Sequence, residues 1–266
     1  MHADTDYTLA ELMIVAAAEA WRGDGEVQAQ GIGTLPRIAA GLARLTFEDG
    51  LMLSDGEAYL TEDPVPLGAS ATDRPAPSGW IPYNRVFTTL WKGIRHAMVT
   101  PVQIDQWAQT NISALGDFAK PKVQMLGVRG FPGNSISHKN SMLIPAHSKR
   151  VFVADEVDVV CSVGYSNRYW PEGMRVPEIK IGIIVTDLCV MDFGGPDHAA
   201  RVLSLHPGVT FEAVQAATGF ALLRGPDMGT TPAPTAEQLA IIRRLDPKDQ
   251  RSKAIKGNPP GQRQAA

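Results

Sequence analysis

The chain has 266 residues, of which 44% are hydrophobic and 20% are charged, and its formal net charge is -3. This length and composition favour one globular domain and exclude a mainly disordered chain. The slight negative charge gives no sign of a surface that binds nucleic acid or a membrane.

The cysteines and the first residues bear on the compartment of the protein. Cys161 and Cys189 lie in apolar runs, where a thiol behaves as a small buried hydrophobe, so they predict neither a disulfide framework nor a metal site. The N-terminus has acidic residues where a signal peptide carries basic ones, and no segment is long and apolar enough to span a bilayer. We therefore expect a cytoplasmic protein without a bound metal.

The first elements predict a strand-helix-strand unit. Apolar residues recur at helical spacing from Leu9 to Ala20, and Thr8 and Glu11 have the spacing of a capping box. A short strand, a glycine loop, a helix and a second strand follow, with the sequences EVQAQ, GIGTLP, PRIAAGLARL and LMLS. Such a unit implies a parallel sheet with right-handed crossovers.

Further strands are predicted in the apolar runs HAMVTPVQI, VQMLGV, KRVFVAD, VDVVCSV and IGIIVTDLCVMDF. Several of these runs are continuous and rich in Val and Ile, which is typical of strands covered on both faces by helices. Residues 62–80 predict a long loop, and Thr210 is the predicted N-cap of a later helix. The expected fold class is α/β, with an open, mostly parallel sheet flanked by helices.

The change in composition near the C-terminus predicts three parts of the chain. Residues 1–225 form the α/β domain, and residues 226–247 form a Pro/Gly/Thr linker with a helix capped by Thr235 and Gln238. Residues 248–266 are polar and basic without an apolar face, so we expect a flexible basic tail.

The loop GIGTLP is the first candidate for a binding function. Ligands of open α/β sheets bind at the carboxyl ends of the strands, in the loops that follow. Gly31 and Gly33 let the backbone approach a ligand and leave N–H groups exposed at a helix start. Glycines at such turns are also required for steric reasons alone, so both interpretations stay open.

The stretch LMLSDGEAYL contains two carboxylates at the end of an apolar strand. Asp55 and Glu57 are two residues apart, so in an extended segment both side chains face one side, and Ser54 precedes them. Two close carboxylates push one pKa upward, which suits general acid/base catalysis. The alternative is a turn with solvated acidic residues.

The stretch LGVRGFPGNSISHKNSM is the third candidate. Gly127, Gly130 and Gly133 recur every three residues and lead into Asn134 and His138 at a predicted helix entrance. Exposed N–H groups there could stabilise an oxyanion or a thioester carbonyl, although the spacing is not that of a phosphate-binding loop. His138 could carry a proton or act as a structural hydrogen-bonding residue.

Several of these segments together resemble the β subunits of family I CoA-transferases. The segment SLHPGVTFEAVQAATGF is similar to the family signature SxHPGVTxEEVxxxTGF. The family's order is followed by ELMIVAAAEAW, GIGTLPRIAAGLARL, LMLSDGEA, RGFPGNSI, KRVFVAD and a late helix ending in RRLDP. The resemblance covers about residues 9–247 and implies a CoA-transferase-like fold.

In transferases of this family, a β-subunit glutamate at the end of the LMLS-type strand attacks the acyl-CoA. By that resemblance Asp55 takes the place of the glutamate, Ser54 and Gly56 flank it, and Glu57 stands where the family has glycine. Aspartate is one methylene shorter, and a nucleophile misplaced by about an ångström can lose on the order of a hundredfold in rate. The resemblance therefore leaves a covalent mechanism in question.

The glycine loop departs from the family in a similar way. RGFPGNSI keeps Gly133 and Asn134 of the family's loop near the thioester, but Ser135 replaces an acidic residue. Within the family, these departures most resemble the β subunits of ring-opening hydrolases of steroid catabolism. That resemblance implies an α2β2 complex whose main catalytic glutamate lies on the α subunit, with water as co-substrate. It implies no separate cofactor, since CoA is part of the substrate.

For this chain the resemblance implies roles for the candidate residues. Asp55 and Glu57 would act as acid/base or positioning groups, and the backbone from Gly130 to Asn134 would contact an oxyanion or the thioester. Arg129 could bind a substrate carboxylate or form an ordinary ion pair. Two alternatives remain, a CoA-transferase subunit with a carboxylate nucleophile and a non-catalytic scaffold subunit. A nucleotide-binding dehydrogenase is disfavoured because neither glycine loop has a complete GxGxxG.

Overall fold

The computed structural model describes residues 6–56, 58–125, 127, 130–174 and 178–262. Its α-helices are α1 (Leu9–Ala18), α2 (Thr34–Thr46), α3 (Val86–Trp91), α4 (Phe131–Ser137), α5 (Phe211–Ala217) and α6 (Ala236–Leu245). Short 3-10 helices cover Glu19–Trp21, Ala71–Asp73, Tyr83–Arg85, Pro196–His198 and Gln250–Lys253. Within the described residues, no helix is long and apolar enough to cross a membrane.

The strands of the first half of the chain are β1 (Gln28–Gly31), β2 (Leu53–Ser54), β3 (Tyr59–Thr61), β4 (Pro77–Trp80), β5 (Arg95–Val99), β6 (Gln103–Ile104), β7 (Thr110–Asn111), β8 (Ala114–Leu115) and β9 (Val123–Gln124). Those of the second half are β10 (Lys139–Ile144), β11 (Ile181–Thr186), β12 (Cys189–Asp192), β13 (Arg201–Leu205) and β14 (Leu223–Thr230). Seven strands form the main sheet, in the order β1-β5-β10-β11-β12-β13-β14.

The main sheet is mixed but mostly parallel, as expected. β1, β5, β10 and β11 run parallel to one another, β12 is antiparallel to both of its neighbours, and β14 pairs in parallel with β13. Four of the six pairings are therefore parallel. This arrangement confirms the predicted fold class.

The predicted strand-helix-strand unit at the N-terminus is present. The Thr8–Glu11 capping box starts α1, and α2 follows β1 directly. Met52 then forms a parallel bridge with Gln28 of β1, and the N–H of Met52 lies 2.9 Å from the carbonyl oxygen of Val27. After this contact the chain leaves the main sheet and builds a small antiparallel sheet from β2, β3 and β4.

Apolar clusters cover both faces of the central strands. Met98 and Leu143 belong to the cluster formed with α1, α2 and α6, whereas their neighbours Val99 and Met142 belong to the cluster on the opposite face. Side chains alternate between faces along a strand, so both parities must be apolar when both faces are covered. The continuous apolar runs of the sequence reflect this two-sided burial.

Four of the predicted strands are wrong. HAMVTPVQI is two strands that belong to different sheets, β5 in the main sheet and β6 beside β7. In KRVFVAD the N–H groups of Val151 and Phe152 donate to the carbonyl of Ser148, so the chain turns and makes only an isolated bridge with Ile104. VDVVCSV likewise forms only a bridge, between Ser162 and Thr110. IGIIVTDLCVMDF forms two antiparallel strands. The Thr186 hydroxyl accepts hydrogen bonds from the N–H groups of Leu188 and Cys189, which stabilises the turn between them.

The predicted linker at residues 226–235 is wrong in its first part, which is the edge strand β14. Ser204 pairs with Gly229 and Leu205 with Thr230, and a register shift lies between Val202 and Ser204. A proline is tolerated at the edge of a sheet beside such an irregularity, so Pro226 does not prevent pairing. The helix capped by Thr235 and Gln238 is confirmed as α6.

The predicted flexible tail is also wrong over its described residues. Arg251 is buried and contacts the carboxylates of Glu11 (3.1 Å) and Asp246 (3.2 Å). The N–H of Gly261 donates to the carbonyl of Tyr7 at 2.8 Å. Polar and basic composition led to the wrong prediction, because here the charges are used to pair buried carboxylates.

Candidate active site

Asp55 directly follows β2, and its carboxylate closes the turn between β2 and β3. Oδ1 accepts hydrogen bonds from the N–H groups of Ala58 (3.0 Å) and Tyr59 (3.1 Å). Oδ2 lies 3.4 Å from Nη1 of Arg74. The residue is only 7% exposed. Both carboxylate oxygens are therefore engaged in holding the turn and its neighbour in place.

The residues beside Asp55 also serve this turn. Arg37 Nη2 donates to the carbonyl of Asp55 at 3.5 Å, and the Ser54 hydroxyl accepts the N–H of Gly56 at 3.4 Å. Burial lowers the pKa of Arg37, while the charge of Asp55 opposes that shift. Glu57, the second predicted carboxylate, lies outside the described residues.

Gly31 and Gly33 have a steric explanation. A Cβ atom on Gly31 would overlap the backbone carbonyl of Pro36 in the first turn of α2. Gly33 is the N-cap of that helix and has a φ of 112°, which favours glycine. A small cavity of about 80 Å³ lies beside Gly31, Arg37 and Ser54. These glycines place α2 against β1.

A cavity of about 550 Å³ opens near the carboxyl ends of β1 and β5. Ile32 follows β1, Thr100 follows β5, and helices α3 and α4 cover one side of the cavity. Its described lining residues are Ile32, Val86, Phe87, Leu90, Arg95, Val99, Thr100, Val102, Ile112, Met125, Gly127, Gly130, Phe131 and Asn134. Open α/β sheets bind ligands at this edge, so the cavity is the candidate active site.

The start of α4 brings two predicted residues to the cavity. Gly130 is the N-cap in the left-handed conformation, and both Gly130 and Asn134 line the cavity, whereas Gly133 is not among its lining residues. The N–H of Asn134 donates to the carbonyl of Gly130 at 3.0 Å, so that N–H is occupied within the helix. Within the part of the chain that the structure describes, the side-chain Oδ1 of Asn134 is buried without a hydrogen-bond partner. Arg129 lies outside the described residues.

His138, at the end of α4, lies away from this cavity. Its Nδ1 donates to the carbonyl of Lys139 at 2.8 Å, and its Nε2 is buried with no partner in the described ranges. Burial is the main cause that lowers the pKa of His138 to about 4, so the ring is neutral at pH 7. It lines a second cavity of about 470 Å³ together with Asp24, His96 and Lys139. His138 is therefore a poor candidate for proton transfer at the main cavity.

Arg95, the first residue of β5, is a site residue that the sequence analysis missed. It lines both the main and the second cavity and so forms part of the wall between them. Its Nε is buried without a hydrogen-bond partner among the described residues, and burial lowers the pKa of Arg95. Side chains alternate between the two faces of a strand, so the sequence alone places Arg95 on the same face as Ala97 and Val99. That pattern was a usable signal.

A second missed group contains the residue types of a nucleophilic triad. His96 Nδ1 lies 2.5 Å from Oδ2 of Asp24, and Nε2 lies 2.9 Å from the hydroxyl of Ser141. Ser141 is in β10 and is fully buried, so its hydroxyl cannot reach a substrate. Lys139 also pairs with Asp24 at 3.1 Å. This group links the turn after the 3-10 helix Glu19–Trp21 to β5 and β10 rather than forming an active site.

The structure thus separates the predicted site residues into two groups. Ser54, Asp55 and Gly56 belong to the turn after β2, whereas Gly130 and Asn134 line the main cavity together with the unpredicted Arg95. The main cavity has a mainly apolar wall, a few polar groups and space for an organic ligand. A mainly apolar wall with few polar groups suits a carbon skeleton held beside a small reacting polar centre.

Comparison with known proteins gives the same picture. No protein-family model matches the chain. The chain is 42% identical over 94% of its length, and 97% of the relative, to the cholesterol ring-cleaving hydrolase IpdB subunit of Rhodococcus jostii (strain RHA1). It is 33% identical to the β subunit of the 3-oxoadipate CoA-transferase of Pseudomonas knackmussii, covering 90% of this chain and 94% of that one.

A solved structure agrees with these relatives. The crystal structure of Rhodococcus jostii RHA1 IpdAB superimposes with a TM-score of 0.86 and 42% identity, covering 94% of this chain and 99% of the matched chain. The fold and the cavity at the strand ends define the class as a CoA-transferase-type enzyme subunit. The chain belongs to the family of β subunits that includes the cholesterol ring-cleaving hydrolase IpdB subunit and the β subunits of CoA-transferases.

Proposed function

We propose that the chain is the β subunit of a heteromeric hydrolase that opens the carbocyclic ring of a β-keto CoA thioester during steroid degradation. The identity of 42% to an IpdB subunit over nearly the whole chain carries this proposal. The 550 Å³ cavity with its mainly apolar lining supports it, because a carbocyclic acyl group needs such a surface. CoA would be part of the substrate, and no separate cofactor is required.

The reaction that fits is water addition followed by a retro-Claisen-like cleavage. Water adds to the ring ketone, and a base removes the proton from the new hydroxyl group. The bond between that carbon and the carbon bearing the thioester then breaks, and its electron pair passes into the thioester enolate. Protonation of the enolate carbon yields a ring-opened carboxylate with the thioester intact. The site must supply a base and donors for the enolate oxygen.

One structural feature favours this hydrolysis over covalent acyl transfer. A nucleophilic carboxylate needs an oxygen aimed at the acyl-CoA, but Asp55 uses one oxygen for two backbone N–H groups and the other for Arg74. We therefore propose that Asp55 positions the turn beside the active site, and that Glu57 is an acid/base candidate. Gly130 and Asn134 would contact the acyl group or the thioester.

The partner chain completes this proposal. IpdAB and the decarboxylase AibA/AibB, whose crystal structure superimposes on this chain with a TM-score of 0.76 and 26% identity, each contain two different subunits. This supports a heteromeric assembly for this family. We propose an α2β2 complex in the cytoplasm, in which a glutamate of the α subunit is the base that activates water. The transferase and scaffold alternatives make different predictions for the same complex.

The proposal can be tested by assaying the complex of this chain with its α subunit. A cyclic β-keto acyl-CoA turned over in ¹⁸O-labelled water should give a product with label in the new carboxylate and with CoA still attached. Borohydride or hydroxylamine should trap no acyl adduct on this chain. Exchange of CoA onto a second acid, with a trapped adduct at Asp55 or Glu57, would instead establish the transferase.

The scaffold alternative is tested with the same assay. Asp55→Asn and Glu57→Gln each keep the size of the side chain but remove its charge. Loss of turnover in one of them, with the complex still assembled, would support a contribution of this turn to the site. Unchanged turnover in both would show that these two carboxylates do not take part.

A further inference from the structure

The main cavity is apolar along most of its length but has a charged end. Among its described lining residues, three carry polar side chains, which are Arg95, Thr100 and Asn134. Ile32, Thr100 and Gly130 are exposed at the carboxyl ends of the strands, so the cavity opens there. Arg95 is at the opposite end of β5, roughly 16 Å from Thr100 along an extended strand. The cavity therefore runs from an open mouth to a guanidinium group.

This guanidinium group has no partner within the described part of the chain. Arg95 makes no hydrogen bond or ion pair there with its side chain, and its Nε is buried and unsatisfied. Its pKa is lowered because burial removes water from the cation without supplying an opposite charge. Arg95 is half-buried, and an arginine that loses part of its hydration without gaining an opposite charge is normally paired with a carboxylate or phosphate.

The carboxylates of the neighbouring second cavity do not serve as its counter-ions. Asp24 is engaged by His96 and Lys139, and Glu178 lies 3.3 Å from Lys180. The missing partner of Arg95 is thus to be sought in a ligand of the main cavity.

We propose that Arg95 binds a carboxylate carried by the acyl group at the end remote from the thioester, and so determines substrate specificity. The ring and its apolar substituents would lie along Val99, Leu90 and Phe131, with the thioester near the mouth at Gly130. Two N–H groups of the guanidinium can donate to both oxygens of one carboxylate. An acyl group that lacks the carboxylate would leave the cation unpaired.

This inference rests on the proposed function, and the test separates the two. The assembled complex is assayed with a cyclic β-keto acyl-CoA that bears a free side-chain carboxylate, and with its methyl ester. The wild-type complex should prefer the acid. Arg95→Met should raise KM for the acid by about tenfold or more, because a charge-assisted hydrogen bond is lost, and should change KM for the ester little.

Two further variants make the result specific. Arg95→Lys keeps the charge but not the paired donors, so it should recover part of the preference for the acid. Lys92→Met removes a cation that lines only the second cavity and should leave both KM values unchanged. Equal losses for acid and ester in Arg95→Met, or equal effects of Lys92→Met and Arg95→Met, would overturn the inference.

Binding measurements keep the inference testable if the wild-type complex opens neither substrate, which would refute the proposed function. Calorimetric Kd values for the intact acid and ester thioesters then replace KM. A Kd for the acid that rises about tenfold in Arg95→Met alone would still support Arg95 as the carboxylate-binding residue. Identical Kd values for wild type and Arg95→Met would reject it.

Discussion

The turn at Asp55 and the end of the main cavity at Arg95 both remove a charged side chain from water, and they differ in what they offer it. Asp55 receives two backbone N–H groups and a guanidinium, whereas in the main cavity Arg95 Nε and Asn134 Oδ1 are buried without a partner among the described residues. Buried polar atoms in proteins are nearly always hydrogen-bonded, and each exception requires an explanation. The first region is built for its own stability, and the second leaves groups available for a ligand.

The largest effect should follow from removing the carboxylate of the first region. Asp55→Ala leaves the N–H groups of Ala58 and Tyr59 and the Arg74 guanidinium without their acceptor, so we expect a loss of about 2–3 kcal/mol in the free energy of unfolding. Asp55→Asn keeps one acceptor oxygen and should lose less. Urea denaturation of the complex gives both values. Full stability combined with abolished turnover would place the carboxylate in the chemistry instead.

An effect that is smaller for each pH unit should come from lowering the pH, and it should distinguish two buried histidines. His138 and His147 both have a pKa lowered to about 4, mainly by burial. His147 has partners at both ring nitrogens, the hydroxyls of Thr186 (3.1 Å) and Thr218 (2.9 Å), whereas His138 has one. In the unfolded chain these two histidines are protonated near pH 6.5, whereas in the folded chain they stay neutral down to about pH 4. Stability should therefore fall as the pH drops through this window.

Each histidine should contribute about 1.4 kcal/mol per pH unit within that window. His138→Gln and His147→Gln should each reduce the slope of the unfolding free energy against pH by one proton. At pH 7, His147→Gln should destabilise more, because it gives up two hydroxyl contacts and His138→Gln only one backbone contact. Denaturant titrations between about pH 4 and pH 7 provide the test. An unchanged slope for His138→Gln would mean that this ring is not protected from protonation.

The smallest change in stability is expected at Asn134. Its Oδ1 has no partner to lose, so Asn134→Ala should change the free energy of unfolding by less than about 1 kcal/mol. The same variant should lower turnover of the complex by about tenfold if the amide contacts the acyl group or thioester. Thermal unfolding and steady-state kinetics are the two measurements. A large loss of stability without loss of activity would reverse the contrast between the two regions.

Much of the fold was predictable from local patterns. The capping residues Thr8, Thr210 and Thr235 begin helices in the structure, because a side-chain oxygen that accepts a helix N–H is a short-range signal. The continuous apolar residues of β5 are also a short-range signal, and they predicted a strand there. Within KRVFVAD and VDVVCSV, burial without sheet pairing could not be inferred, since apolar composition does not show which backbone groups will be bonded.

The location of the candidate site was predictable from the sequence, but the contacts of its residues were not. The loops after β1, after β2 and before α4 were selected from glycine and acidic residues, and Gly130 and Asn134 do line the main cavity. The partners of Asp55 were not predictable, because Arg74 comes from a loop with no periodic pattern. Arg95 was overlooked because a single cation before an apolar strand looks like an exposed strand end until the cavity beneath α3 and α4 is known.

The pairing of Glu11 with Arg243 and Arg251 has a consequence for the order of events on the ribosome. Glu11 is 1% exposed in α1, yet its partners are 232 and 240 residues later in the chain. During synthesis the Glu11 carboxylate stays without these two cations until Arg243 and Arg251 have emerged from the ribosome. A nascent chain that ends before Arg243 would therefore leave this carboxylate in water, and its first helix would be a better target for chaperones and proteases.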